Sequence, residues 1–182
     1  MAASGINPKQ VNDLHSFSDY VQPLMEFMEY SVPSSISIKQ EEKVILVGHS
    51  LGGVPEVTAY ILTAKGTSTN FMFGPRYISS NLYDLSSPED LDLASMLARP
   101  IRIFSADDMS KQMTMSKQKY GSVKRVYIIA ELDKGIPKDV QRWVIEKDSV
   151  DDVKEIGGSD HMVMMSRPHE LFACLQEIAG EA

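Results

Sequence analysis

The chain has 182 residues, of which 43% are hydrophobic and 24% are charged. A chain of this size buries about 70% of its unfolded surface, so one domain over residues 1–182 is expected. The 25 acidic and 18 basic side chains give a net charge of −7, which argues against nucleic acid or an anionic membrane surface as a partner.

Two further features of the sequence indicate the cellular compartment of the protein. The single cysteine, Cys174, excludes an intramolecular disulfide and fits a reducing environment. No apolar run approaches the roughly 18 residues of a membrane span, and the first ten residues lack the charged start and apolar core of a signal peptide. A soluble, cytoplasmic protein without a membrane partner is therefore expected.

The first half of the chain alternates helical and extended patterns. Apolar residues three or four positions apart over residues 11–28 predict an amphipathic helix that Pro23 starts or kinks. The short, β-branched run V-I-L-V at residues 44–47 predicts a buried parallel strand. A glycine-rich turn at residues 48–53 closes it, and residues 55–65 predict a short helix.

The second half continues the alternation after a less regular stretch. Residues 66–120 are predicted to be a reduced cap and connecting region, with no sustained period over residues 66–86. The sequence S-P-E-D at residues 87–90 predicts a helix that ends before Pro100. Strands are predicted at residues 101–104, 123–130 and 153–156, and helices from Pro137 and Pro168. This order predicts an α/β fold, mostly a parallel sheet with helices on both faces.

Ser50 is the candidate nucleophile. It stands in G-H-S-L-G at residues 48–52, which satisfies the G-x-S-x-G nucleophile elbow between a predicted strand and a predicted helix. Glycines on both sides let the helix and strand approach closely enough to expose a strained serine above the sheet. The alternative is an ordinary turn.

A serine nucleophile needs a base and an acid from later loops, in the order Ser, Asp, His. Asp133 follows the strand at residues 123–130, and His161 follows the strand at residues 153–156, so both are predicted at the carboxyl edge of the sheet. Taken singly, Asp133 could be an ordinary turn acid and His161 an ordinary loop histidine. Asp160 is a competing acid beside His161.

A metal site is not predicted, because His161 and His169 stand eight residues apart without an acidic cluster between them. No cofactor is expected either, since a serine, histidine and aspartate need none. The methionines that follow His161 are typical of packing, but they could also line an apolar pocket. Cys174 is expected to pack beneath the last helix.

Several segments of the chain together form a distinctive set: A-A-S-G at residues 2–5, E-K-V-I-L-V-G-H-S-L-G-G at 42–53, F-G-P at 73–75, S-P-E-D-L at 87–91, G-S-V-K-R-V-Y-I at 121–128, D-K-G-I-P at 133–137 and D-H-M at 160–162. Through these segments most of the chain resembles the plant methyl esterases and related hydroxynitrile lyases of the α/β-hydrolase fold. The resemblance implies a carboxylic ester hydrolase that acts on methyl esters of small plant hormone acids such as salicylate, jasmonate and indole-acetate.

The resemblance also implies roles for individual residues. The motifs of the family's nucleophile, acid and base fall on Ser50, Asp133 and His161. Related lyases carry a lysine directly after the histidine, and Met162 at that position favours the esterase branch. Leu51 would supply a backbone N–H to the oxyanion and touch the small-molecule ester. An apolar substrate pocket is expected around Leu51, Phe71, Phe73 and Met162.

Two departures from the family pattern motivate a rival hypothesis. No histidine is followed by glycine, so the loop that donates the second oxyanion hydrogen bond has no counterpart, which would cost about 3 to 4 kcal/mol of transition-state stabilisation. The segment between Gly53 and Phe71 is short, and the sheet is expected to be incomplete. The rival is a shortened, weak or inactive isoform that at most binds small apolar acids. Unpaired sheet edges would favour a homodimer.

Overall fold

The computed structural model describes residues 1–31, 45–50, 69–105, 107–109, 120–148 and 150–181. These residues fall into two compact units. The first unit is Met1–Met72 with Arg99–Thr114, and the second is Phe73–Ala98 with Met115–Ala182. The expectation of a single domain stays a prediction.

The first unit contains helix α1 (Phe17–Ser31) and the antiparallel strands β1 (Thr69–Phe71) and β2 (Ile101–Ile103). A 3₁₀ turn, Val11–Asp13, precedes α1. The helix thus begins at Phe17, later than the predicted residue 11. Its start is capped by the Asp19 carboxylate, which accepts hydrogen bonds from the backbone N–H groups of His15 and Ser16 at 2.7 and 2.9 Å. Pro23 lies inside this helix.

A small core holds the first unit together. Its buried members are Ala2, Ala3, Leu14, Phe104 and Met109, against which Phe17 and Tyr20 pack. The rings of Phe17 and Phe104 form a T-shaped pair with a centroid distance of 5.5 Å. The start of α1 is also fixed, because the Asp108 carboxylate accepts a hydrogen bond of 2.7 Å from the Phe17 backbone N–H.

The predicted strand at residues 44–47 is wrong over its described part. Ile45, Leu46 and Val47 form no strand, and their side chains are exposed. No strand among the described residues pairs with them, and a central strand needs hydrogen-bonded neighbours for its backbone groups. The predicted helix at residues 55–65 lies outside the described residues.

The second unit is built on two parallel strands, β3 (Val126–Ala130) and β4 (Asp152–Ile156). Ala130 lies opposite Ile156 in the register. Helix α4 (Lys138–Asp148) connects the strands, and α5 (Val163–Ser166) and α6 (Pro168–Glu181) follow β4. The two predicted strands and the helices predicted from Pro137 and Pro168 are confirmed, with β3 beginning at Val126 rather than residue 123. The short helix α5 was not predicted.

The remaining elements of this unit lie upstream of β3. The stretch predicted as irregular contains a single helical turn, α2 (Pro75–Tyr77), and a π-helical turn, Ile78–Leu82. Helix α3 (Pro88–Leu97) begins as predicted, because Ser87 accepts a hydrogen bond from the Asp90 backbone N–H. One buried cluster contains Ala130, Ile156 and Val163, with Ile128, Leu171 and Cys174 packed against it. Cys174 thus packs from the last helix, as expected.

None of the helices in the described ranges is long and apolar enough to span a bilayer.

Candidate active site

Asp133 and His161 form a buried pair just beyond the ends of β3 and β4. The Oδ2 atom of Asp133 lies 2.9 Å from Nδ1 of His161. The two residues are only 8% and 7% exposed. Because β3 and β4 are parallel and in register, their carboxyl ends meet at one edge, and the loops that follow them come together.

The second carboxylate oxygen of Asp133 is held by its own loop. Oδ1 accepts hydrogen bonds from the backbone N–H groups of Gly135 and Ile136, at 2.7 and 2.8 Å. The carboxylate therefore has one oxygen fixed to the backbone and the other directed at the imidazole. Such an arrangement orients a histidine.

Gly135 leaves the space that this pair needs. A Cβ atom added there would lie 3.0 Å from Cδ2 of Leu82, 3.2 Å from Nδ1 of His161 and 3.3 Å from Oδ1 of Asp133. Any side chain at this position would press on both partners of the pair. The requirement is one of space, because these neighbours would have to move by a few tenths of an ångström to admit a Cβ atom.

Gln141 secures the start and end of the acid loop. This buried α4 residue accepts a 3.0 Å hydrogen bond from the Ala130 backbone N–H through Oε1. Its Nε2 donates at 2.8 Å to the backbone oxygens of Ala130 and Ile136. Sequence reasoning did not select Gln141. The available signal was its position three residues before the apolar Val144, on the buried side of α4.

Asp160, the competing acid, is directed elsewhere. Its Oδ2 accepts hydrogen bonds from the Leu85 backbone N–H at 3.0 Å and from the Ser86 hydroxyl at 2.8 Å. Its Oδ1 accepts one from the Met162 backbone N–H at 2.9 Å. The acid beside the His161 ring is therefore Asp133, and not Asp160, which directly precedes His161 in the chain.

Ser50 lies in the first unit, half-buried, with a backbone φ of +53°. A positive φ is uncommon for a residue with a side chain and costs about 1 to 2 kcal/mol. A strained serine at a sharp turn is the conformation that the G-x-S-x-G motif requires. The positive φ of Ser50 agrees with that requirement, and its role as nucleophile stays a prediction.

The predicted substrate-contacting residues are distributed between the two units. Phe71 is half-buried and lies opposite Ile101 in the β1–β2 pair. Phe73, in the second unit, stacks on Tyr77 at a centroid distance of 5.1 Å and an interplanar angle of 9°. Met162 is half-buried and directly precedes α5. Leu51 lies outside the described residues, and the substrate contacts of all four stay predictions.

Within the described ranges, no group of three or more His, Cys, Asp or Glu side chains is placed to hold a metal ion.

Comparisons with known proteins agree on one family. A model of the alpha/beta hydrolase family matches residues 5–173 of the chain. Methyl jasmonate esterase 1 from Vitis vinifera is 38% identical over 224 residues, covering 98% of this chain and 83% of that protein. Salicylic acid-binding protein 2 from Nicotiana tabacum is 36% identical over 226 residues, covering 98% of this chain and 84% of that protein.

A solved structure extends the agreement to the fold. Tomato methylketone synthase I in complex with 2-tridecanone superimposes with a TM-score of 0.84 at 36% sequence identity, over 100% of this chain and 85% of that chain. The match to the Vitis protein spans more positions than the 182 residues of this chain. That relative therefore has internal residues with no counterpart here, and the chain carries a shortened form of the fold.

Proposed function

This chain belongs to the alpha/beta hydrolase family, and we propose that it works as a serine carboxylesterase on methyl esters of small, hormone-type acids. The observation that carries the proposal is the buried contact of 2.9 Å between Asp133 and Nδ1 of His161. A carboxylate that orients a histidine at the carboxyl edge of a parallel sheet is the acid–base half of a catalytic triad.

Asp133 sets the tautomer of His161. An ionised carboxylate only accepts hydrogen bonds, so the proton of the neutral imidazole resides on Nδ1, which faces Asp133. Nε2 then carries the lone pair and can remove a proton. When His161 takes up a proton during the reaction, the adjacent negative charge stabilises the imidazolium.

In the proposed reaction Ser50 attacks the ester carbonyl carbon while His161 takes its hydroxyl proton. His161 then returns that proton to the departing methoxide, which leaves as methanol, and an acyl ester on Ser50 remains. Water, activated by His161, hydrolyses the acyl ester and releases the acid. The backbone N–H of Leu51 is proposed as one donor to the oxyanion.

The substrate class rests on the relatives and on one side chain. The Vitis and Nicotiana relatives are named for methyl jasmonate and salicylic acid, both small carboxylic acids or their esters. Met162 places an uncharged side chain next to His161, which suits the apolar acyl part of such an ester. Methyl salicylate, methyl jasmonate and methyl indole-acetate are therefore the proposed substrates.

The test is hydrolysis of these three esters by the purified full chain, with Ser50→Ala as the matched variant. We expect methanol release by the unaltered protein and at least a 10³-fold lower rate in Ser50→Ala, because the hydroxyl is the only group altered. Equal rates in the two proteins would reject Ser50 as the nucleophile. No turnover by well-folded protein would reject the esterase proposal.

A second candidate function is binding of small apolar acids without turnover. It is favoured by the internal residues of the Vitis relative that have no counterpart here and by the exposed, non-strand conformation of Ile45, Leu46 and Val47. Calorimetric titration with salicylate and jasmonate distinguishes the two candidates. Saturable binding by protein that hydrolyses no ester supports the binder, and absence of both binding and turnover excludes it.

A further inference from the structure

Asp160 is completely buried, and its carboxylate connects two separate segments of the second unit. Oδ2 accepts from the Leu85 backbone N–H and the Ser86 hydroxyl, which precede α3, at 3.0 and 2.8 Å. Oδ1 accepts from the Met162 backbone N–H at 2.9 Å. A buried carboxylate with three donors is held firmly, because each lost partner would leave a polar group unpaired.

The hydrogen bonds of Asp160 also restrain His161, which follows it in the chain. His161 lies between Asp160 and Met162, and the Oδ1 hydrogen bond closes the chain around it. The Asp160 backbone N–H also donates to the Ser166 hydroxyl at 3.2 Å, at the end of α5. The backbone of His161 is thereby restrained on both sides.

The acid loop is connected to the same segment. Lys134, which follows Asp133, forms an ion pair with Asp84, the residue before Leu85. Residues 84–86 thus contact the loop of the proposed acid through Lys134 and the loop of the proposed base through Asp160. The Lys134 side chain is 58% exposed, so the buried Asp160 contact is the stronger of the two.

We propose that Asp160 is a positioning residue, which keeps the His161 imidazole on Asp133 by connecting the His161 loop to Leu85 and Ser86. The role rests on the proposed esterase function, since the imidazole is positioned for that reaction. Asp160 itself does not touch the reacting atoms. Its loss allows the His161 ring to drift, and a displacement of about 1 Å is enough to lower a rate by roughly 10²-fold.

The first variant is Asp160→Asn. It replaces one acceptor oxygen with an NH₂ donor, so the backbone N–H of either Leu85 or Met162 loses its acceptor. Asp151→Asn is the matched control for the loss of charge, because Asp151 also accepts a backbone hydrogen bond, from Arg125 at 2.8 Å, but at the opposite end of β4.

The second pair of variants keeps the buried carboxylate. Ser86→Ala removes one of its three donors, whereas Ser86→Thr retains a hydroxyl and is the conservative control. Two quantities are measured for every variant: kcat and KM for methyl salicylate, and the NMR signal of the imidazole N–H of His161, assigned by its loss in His161→Ala. Thermal melting reports folding.

We expect Asp160→Asn to lower kcat by about 10-fold or more, with KM changed less than about threefold, and to broaden or remove the imidazole signal. Ser86→Ala should act in the same direction by about threefold, while Ser86→Thr and Asp151→Asn resemble the unaltered protein. If Asp160→Asn does not fold, the comparison of Ser86→Ala with Ser86→Thr tests the positioning role instead.

The proposal is overturned if the imidazole signal and kcat of Asp160→Asn equal those of Asp151→Asn. It is equally overturned if Ser86→Ala matches Ser86→Thr in both quantities. If the unaltered protein hydrolyses no ester, that result rejects the proposed function. The positioning role is then tested by the imidazole N–H signal of His161 alone, compared between each variant and its control.

Discussion

Asp133 and His161 are 28 residues apart in the chain, yet Oδ2 of the first lies 2.9 Å from Nδ1 of the second. The contact follows from the parallel register of β3 and β4, in which Ala130 lies opposite Ile156. Asp133 is three residues beyond one strand and His161 five beyond the other. The loops that bridge those few residues determine whether the pair forms.

Asp133→Asn should lower kcat by about 10³- to 10⁴-fold while leaving the protein folded. The amide oxygen can still accept from Gly135 and Ile136, which directs its NH₂ group at Nδ1 of His161. The imidazole then carries its proton on Nε2 and cannot serve as the base. Steady-state kinetics with a methyl ester, together with thermal melting, tests this, and a kcat within threefold of the unaltered protein would contradict it.

Gly135→Ala should lower kcat by roughly 10- to 10²-fold, because the added methyl group pushes on the Asp133–His161 pair. Gly74→Ala is the matched control. A Cβ at Gly74 meets nothing within 4 Å, and its φ of −72° suits alanine. Kinetics of the two variants side by side should show the loss only in the first, and equal rates would mean that Leu82 moves to make room.

Gln141→Ala should lower the free energy of unfolding by about 2 to 4 kcal/mol, since three backbone hydrogen bonds at the ends of the acid loop lose their partner. Urea denaturation measures the change. Gln22→Ala, on the exposed side of α1, should stay within about 0.5 kcal/mol of the unaltered protein. A Gln141 variant as stable as the Gln22 variant would show that other groups satisfy those backbone atoms.

Ser50→Gly should be more stable than Ser50→Ala by about 1 kcal/mol. Both variants lack the hydroxyl, but only glycine adopts a φ of +53° without strain, and part of that gain is offset by its greater freedom in the unfolded chain. The expected difference in Tm is about 2 to 4 °C. Identical melting of the two variants would argue that residue 50 is unstrained.

Burial raises the pKa of the Cys174 thiol above the ordinary value of 9.0, and the nearby Glu177 carboxylate adds to the effect. The rate of reaction with a disulfide reagent should therefore show a midpoint above pH 9, against a midpoint near 9 in the urea-unfolded chain. Below pH 9 the Cys174 thiol is protonated in both the folded and the unfolded chain. As pH rises above 9 the unfolded thiol ionises first, so the contribution of Cys174 to stability falls.

Replacing Cys174 with alanine should remove that part of the alkaline loss of stability. Urea denaturation at pH 7 and pH 10 measures it, and the variant should lose less stability between the two values than the unaltered protein does. The same loss in both proteins would show that the thiol titrates alike in the folded and unfolded states.

Local sequence signals predicted the elements of the second unit well. Apolar runs and proline positions located β3, β4, α4 and α6, and Ser87 located the start of α3. These signals are short-range, because strand and helix periodicity and N-terminal capping depend on neighbouring residues. Where an element depends on distant partners, the same signals were insufficient: residues 45–47 have a strand pattern but form no strand.

By itself, then, the sequence determined which residues stand directly after β3 and β4, and the G-x-S-x-G pattern around Ser50. Only the tertiary structure decided that the His161 imidazole meets Asp133 and that Asp160 turns to Leu85 and Ser86 instead. It alone revealed that Gln141 holds the acid loop. The physical reason is that a hydrogen bond depends on distance and direction between atoms far apart in the chain, which the order of residues does not specify.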